Sequence, residues 1–140
     1  MNIEPSQSIQ DAVYYALAAV NAAGHTETDR RIFLRVPADT PLPYIEFGQD
    51  HVFGAHDEGG EMFEVNVEVS AFAANMDDLK AVVTAIYSAL YAPIEIVGFK
   101  AFEYHYDGTR YLKEFDETGA TGTVEQAECS FRYLVERQPV

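Results

Sequence analysis

The chain has 140 residues, 48% of them hydrophobic and 23% charged, enough for one domain that buries roughly 68% of its unfolded surface without staples. Nine Lys plus Arg stand against 23 Asp plus Glu, a formal net charge of -14, which disfavours sequence-independent attraction to nucleic acid or to anionic membrane. The one cysteine, Cys129, excludes an internal disulfide and a cysteine-pair zinc site, and makes a reducing cytoplasm the expected place of synthesis.

Met1 to Ser8 is polar, with Glu4 and Pro5 where a signal peptide carries basic residues, and no apolar run approaches the roughly 18 residues of a membrane span. Neither secretion nor membrane insertion is expected. A first helix is predicted to start at Ser6 or Ser8, because Ser8 followed by Asp11 has the spacing that satisfies free backbone donors at a helix start. Ile9, Val13, Leu17 and Val20 then share one face. Gly24 predicts a left-handed end to that helix, and His25 to Arg31, lacking an apolar period, reads as a loop.

Ile32 to Val36 predicts a short strand stopped by Pro37, after which Pro41-Leu42-Pro43 keeps the backbone extended. Tyr44 to Val52 predicts a second strand. Gly54 to Glu61, with three glycines and three acids, has the composition of a long exposed hairpin tip. The next strand has the strongest pattern, with Phe63, Val65, Val67, Val69 and Ala71 alternating with Glu64, Asn66, Glu68 and Ser70.

Asn75 and Asp78 have capping spacing ahead of a second helix whose apolar stripe is Leu79, Val82, Val83, Ile86 and Leu90, with Pro93 blocking continuation. Ile94 to Tyr106 predicts a strand, Asp107-Gly108 a bulge or kink, and Tyr111 to Phe115 its continuation. Asp116-Glu117-Thr118-Gly119 suits a type I turn. Val124 to Val135 then returns as a strand with Ala127, Cys129, Phe131, Tyr133 and Val135 inward. The predicted fold class is α+β: a mainly antiparallel sheet of four to five strands with two helices packed on one face, in a single domain spanning 1–140.

Catalytic and metal chemistry find little support. His51, His56, Asp57 and Glu58 are close in sequence, but two histidines five apart on a glycine-rich loop have no fixed mutual geometry. His105 lies on a strand's polar face, and Cys129 lacks the helix terminus or cationic neighbours that activate a thiol. No Gly-x-Ser-x-Gly occurs, Gly119 and Gly122 form no phosphate loop, and Asp77 and Asp78 serve a helix dipole. No cofactor is expected.

The tyrosines stand out more. Tyr14 and Tyr15, Tyr87 and Tyr91, and Tyr104, Tyr106 and Tyr111 exceed what one small core needs, which points to protein interfaces. The candidate interface residues are therefore Gly54, His56, Asp57, Glu58, Gly59 and Gly60 in the loop, with Tyr104, Tyr106 and Tyr111.

Taken together, Asp11 to Leu17, Arg31 to Pro37, Leu42 to Gly48, the strand Phe63 to Phe72, the helix Asp77 to Leu90 and the closing Phe131 to Glu136 resemble the tail-terminator, or tail-completion, proteins. These belong to long-tailed bacteriophages and gene transfer agents, and much of the family was once a domain of unknown function. The resemblance runs from Ile9 to Glu136. Phe72 to Asn75 departs from it, without the basic or tryptophan-containing strand end that relatives often show.

The resemblance implies a structural subunit and no enzyme, assembling usually six at a time into a ring that caps the tail tube at its final length. Its implied partners are itself, the tail tube protein and a head connector or stopper, with DNA passing the lumen without specific binding. Its implied place is the neck of the virion tail, after assembly in the host cytoplasm. A ring needs a heterologous interface, hence two different complementary patches on one subunit. The competing readings are another head-tail connector or minor tail protein, and a metal-dependent or His-based enzyme using His51 to Glu58.

With few apolar contacts to hold it, the loop Gly54 to Glu61 is expected to order only on assembly. Amide exchange there should slow when subunits assemble; equal protection before and after would contradict this.

Overall fold

A computed structural model describes residues 4–20, 31–54, 62–115 and 123–138. Helix α1, Ser6–Ala19, begins at the first of the two expected positions, without the Ser8 and Asp11 capping pair. Pro5 occupies the cap position with no side-chain cap bond, and the Glu4 carboxylate accepts from the Ser6 amide at 2.7 Å. That carboxylate satisfies a donor the helix leaves free. Asp11 instead accepts from Gln7 one turn back, at 3.0 Å. Ile9, Ala12, Val13, Leu17 and Ala18 are buried, whereas Val20 falls at the helix end and is exposed.

Strand β1 is only Ile32–Phe33 and runs parallel to β2, Tyr44–Gly54, pairing Ile32 with Ile45 and Phe33 with Glu46. It stops well short of the expected Val36. The partner explains this, because β2 breaks register between Glu46 and Gln49, where Gly48 adopts φ +104°. The bulge bends β2 and disrupts its backbone alignment just beyond Glu46, where β1 stops.

β3, Met62–Ala73, pairs antiparallel with β2 from Gly54–Phe63 to Tyr44–Phe72, as a hairpin requires. Helix α2, Met76–Leu90, opens as its sequence predicts, with the Asn75 side chain accepting from the Asp78 amide at 2.8 Å. β4, Phe99–Phe115, starts later than Ile94 because Ile94 and Ile96 turn into the core and Ile96 bridges Phe99 around Gly98, at φ +85°. β5, Thr123–Arg137, closes the sheet in the order β1-β2-β3-β5-β4. The end expected at Gly24 and the turn at Asp116 to Gly119 lie outside the described residues.

Both helices lie on one face, α1 against β1 and β2, and α2 against β3 and β5. The inward residues of β5 are those the alternation predicts: Ala127, Cys129, Phe131, Tyr133 and Val135 are all buried. They join Val65, Val67 and Val69 of β3 and the helix stripes in one core cluster, each large aliphatic contributing about 1.5–3 kcal/mol. The Tyr133 hydroxyl donates to the Leu90 carbonyl, so the buried phenol and the last turn of α2 satisfy each other.

Among the described glycines Gly48 is the least tolerant of a side chain, since a Cβ there would come 2.6 Å from Leu34 Cδ2 and L-residues avoid its φ. Gly48→Ala is expected to lower stability by about 1–3 kcal/mol in urea unfolding. Adding Leu34→Ala removes the contact and leaves the φ strain, so it should restore only part. A Gly48→Ala variant as stable as its parent would refute this account of the bulge.

Candidate functional site

The two helices leave the inner side of β4 half-open, and that is where the tyrosines gather. Tyr104, Tyr106 and Tyr111 pair across the ladder with Tyr133, Phe131 and Ala127, all core residues, so the three rings sit on the helix side of the sheet. They are 37%, 37% and 44% exposed. Strict alternation would send Tyr111 to the opposite side from Tyr106. The register shift between Tyr106 and Gly108 inserts one residue, with Gly108 at φ +129°, and brings Tyr111 back.

Tyr87 of α2 and Tyr91, which caps its end, complete the group. Tyr87 meets Tyr106 edge-on at 5.0 Å between ring centroids, Tyr91 meets Tyr104 edge-on at 5.4 Å, and Tyr87 and Tyr91 lie 5.1 Å apart. Such edge-to-face pairs add about 0.5–1.5 kcal/mol each beyond area burial, so the rings form a firm shelf rather than loose surface side chains. Tyr106 also shares a hydrogen bond with the Thr109 hydroxyl, which donates to Cys129 Sγ at 3.6 Å. Burial pushes the Cys129 thiol pKa up, the Thr109 contact opposing it, which keeps the sulfur protonated and unreactive.

The other side of the sheet is wet and ionic. Arg132 lies 3.6 Å from Glu64 and 3.4 Å from Asp107, and Arg110 lies 2.7 Å from Glu128. These pairs are solvent-screened and each contributes at most about 1 kcal/mol. His105 is on this side, 3.9 Å from Glu103 and half-exposed, at a shallow depression of about 240 Å³ that Glu64, Glu103 and Arg132 also line.

Of the sequence-derived interface residues, the structure brings Tyr104, Tyr106 and Tyr111 together. Gly54 ends β2 opposite Phe63, exposed; His56, Asp57, Glu58, Gly59 and Gly60 lie outside the described residues. Among the described residues no group of three or more His, Cys, Asp or Glu could hold a metal ion, and no helix is long and apolar enough to cross a membrane.

The sequence reading leaves two features unassigned. One is a groove of about 400 Å³ between α1 and the β1 edge, lined in part by Tyr15, Phe33, Leu34 and Arg35; the signal for it is the Tyr14-Tyr15 pair, since neighbours on a helix cannot both face the core. The other is Asp50, discussed below.

The family described as Tail completion protein gp17 matches residues 11–135. The chain belongs to this family. A tail completion protein is a structural component of a phage tail, associated with other tail or head components, and not an enzyme. The alternative of an enzyme built on His51 to Glu58 is thereby set aside. No curated protein matches the chain in sequence. In three dimensions it is similar to a chain of a solved structure described as "Virion of native gene transfer agent (GTA) particle", with a TM-score of 0.72 at 20% identity, covering 96% of this chain and 99% of that one. At that identity the likeness is one of fold.

In this tail completion protein, the bulge at Gly48 also turns Asp50 inward: it pairs with Val67, while His51 pairs with Asn66 on the wet side and stacks on Phe53. Asp50 Oδ1 is buried with no hydrogen-bond partner among the described residues. Burial raises its pKa from 3.8 to about 6, with the charge of His51 opposing. The folded state therefore holds this proton more tightly than the unfolded chain does. The stabilisation is complete below pH 3.8 and is lost as pH rises through about 6. At neutral pH the ionised carboxylate is a liability, so Asp50→Asn should stabilise the fold by about 1 kcal/mol after solvent screening. In thermal unfolding the gap between variant and parent should close as pH falls through this range. A constant gap would show that Asp50 does not titrate there.

Proposed function

We propose that this tail completion protein is a tail terminator. Six copies close into a ring that caps the tail tube, ends its elongation and joins the tail to the head connector or stopper. The observation that carries this reading is the tyrosine shelf on β4, a firm, half-exposed aromatic surface that rests on the core at Phe131 and leaves much of its ring area open, with no chemistry nearby. Tyr and other aromatics are the residues that protein interfaces enrich. The likeness in fold to a chain of a gene transfer agent virion supports a place in the particle; on this reading that place is the neck of the tail, reached after assembly in the host cytoplasm.

On this reading Tyr104, Tyr106 and Tyr111 belong to one contact, and the loop bearing Gly54, His56, Asp57, Glu58, Gly59 and Gly60 belongs to another, with the tube or the connector. The charge of -14 suits a lumen that DNA must traverse, because a surface with few cations releases few counterions and gains little from phosphate. Solubility alone also favours such a charge, so it supports the reading without selecting it.

Particles assembled without this chain should contain tails of uncontrolled length that fail to join heads, measured by electron microscopy. Tails of normal length that merely lack heads would favour a head-tail connector instead, and normal joined particles would sink both readings.

A further inference from the structure

We infer that the tyrosine shelf of one copy receives the α1–β1 edge of a second copy, so that these two surfaces form the repeating contact between subunits. The inference rests on the ring reading and names its surfaces. In the strand order β1-β2-β3-β5-β4 the groove and the shelf lie at opposite ends. A subunit using both can therefore contact two neighbours at once, which is what head-to-tail closure requires.

Charge chooses a second copy as the occupant. Two copies of a chain with net charge -14 repel wherever carboxylates face each other, so the contact must use surface where they are sparse. The inner side of β4 presents Tyr104, Tyr106, Thr109 and Tyr111, without a carboxylate. Along α2 the stripe flanking it runs Lys80, Thr84, Tyr87 and Tyr91, by helical spacing, and Lys80 is exposed. The groove complements this: Asp11 and Arg35 are the charged residues of a lining that is otherwise aromatic and aliphatic apart from Gln10. Asp11 can meet the neighbour's Lys80, and the exposed Arg35 guanidinium can lie over a tyrosine face, an arrangement that tyrosine's ring quadrupole favours.

Both surfaces also expose more apolar area than their own subunit uses. Tyr15 is 69% and Leu34 51% exposed beside the groove, and the groove's 400 Å³ is on the scale that accommodates large side chains. The tyrosine rings of the shelf are already held by their neighbours, so little freedom is lost when they are covered.

The test uses the full chain at its highest soluble concentration, by light scattering and native mass spectrometry. Tyr91→Glu with Tyr106→Glu disables the shelf; Leu34→Glu with Arg35→Glu disables the groove. The parent should form closed oligomers, each variant alone should associate about tenfold or more weakly, and an equimolar mixture of the two should give a discrete dimer through its one intact pair of surfaces. Asp11→Lys and Lys80→Asp, substitutions on exposed positions that leave the core alone, provide a check should either glutamate variant misfold. Each should weaken assembly and the pair together should restore it. If the parent assembles and the variants assemble equally well, the named surfaces are wrong while the ring reading stands. A parent that stays monomeric, alone and with tail tube protein, overturns the ring reading and this inference with it.

Discussion

A helix with its side chains is about 10 Å wide and strands lie about 4.8 Å apart, so one helix covers about two strands. Two helices therefore cannot cover five strands. α1 takes β1 and β2, α2 takes β3 and β5, and the inner side of β4 is left half-open, met by the rings of Tyr87 and Tyr91. Everything distinctive about the surface follows from that shortfall. A chain meant to stand alone would make the inner side of such an edge polar; this one fills it with tyrosine, whose ring rewards burial and whose hydroxyl tolerates water. The surface proposed for assembly is thus the part of the core layer that the subunit's own helices only partly reach.

Much of this fold was legible in the sequence where one physical signal acted alone. The inward set of β5 follows from alternation, and the start of α2 from Asn75 and Asp78 at capping spacing. Other features depended on partners far along the chain. The length of β1 is set by the bulge in β2, which no property of Ile32 to Val36 reveals. Asp50 reads as a polar residue on a strand, and only the extra residue at Gly48 turns it inward. The start of α1 depends on Glu4, outside the helix, acting where a serine was expected to act. As for the site, the count of tyrosines pointed to a surface role. That Tyr87 and Tyr91 belong with Tyr104 and Tyr106 needed the docking of α2 on the sheet, because strand and helix residues carry no common period.

The opposite side of the sheet shows how the subunit separates stability from contact. Its ion pairs, Arg110 with Glu128 and Arg132 with Glu64 and Asp107, tie neighbouring strands without strong energetic effect. They leave a wet, carboxylate-rich surface that discourages adhesion to copies of itself. One side of the sheet is built to bury, the other to stay apart, and a tail protein needs both if it is to assemble in one orientation only.

The bulge at Asp107 and Gly108 makes this division depend on chain length as well as composition. Were the same residues paired without that extra position, Tyr111 would turn toward solvent with the acids and Arg110 toward the oily rim, whereas deleting one residue there would straighten the strand and leave both on their present sides. A lineage of such proteins can vary the chemistry of this edge widely and can lose the extra residue without disturbing its pattern, yet a one-residue length change elsewhere in the strand, with no bulge to absorb it, would scramble that pattern in a single step.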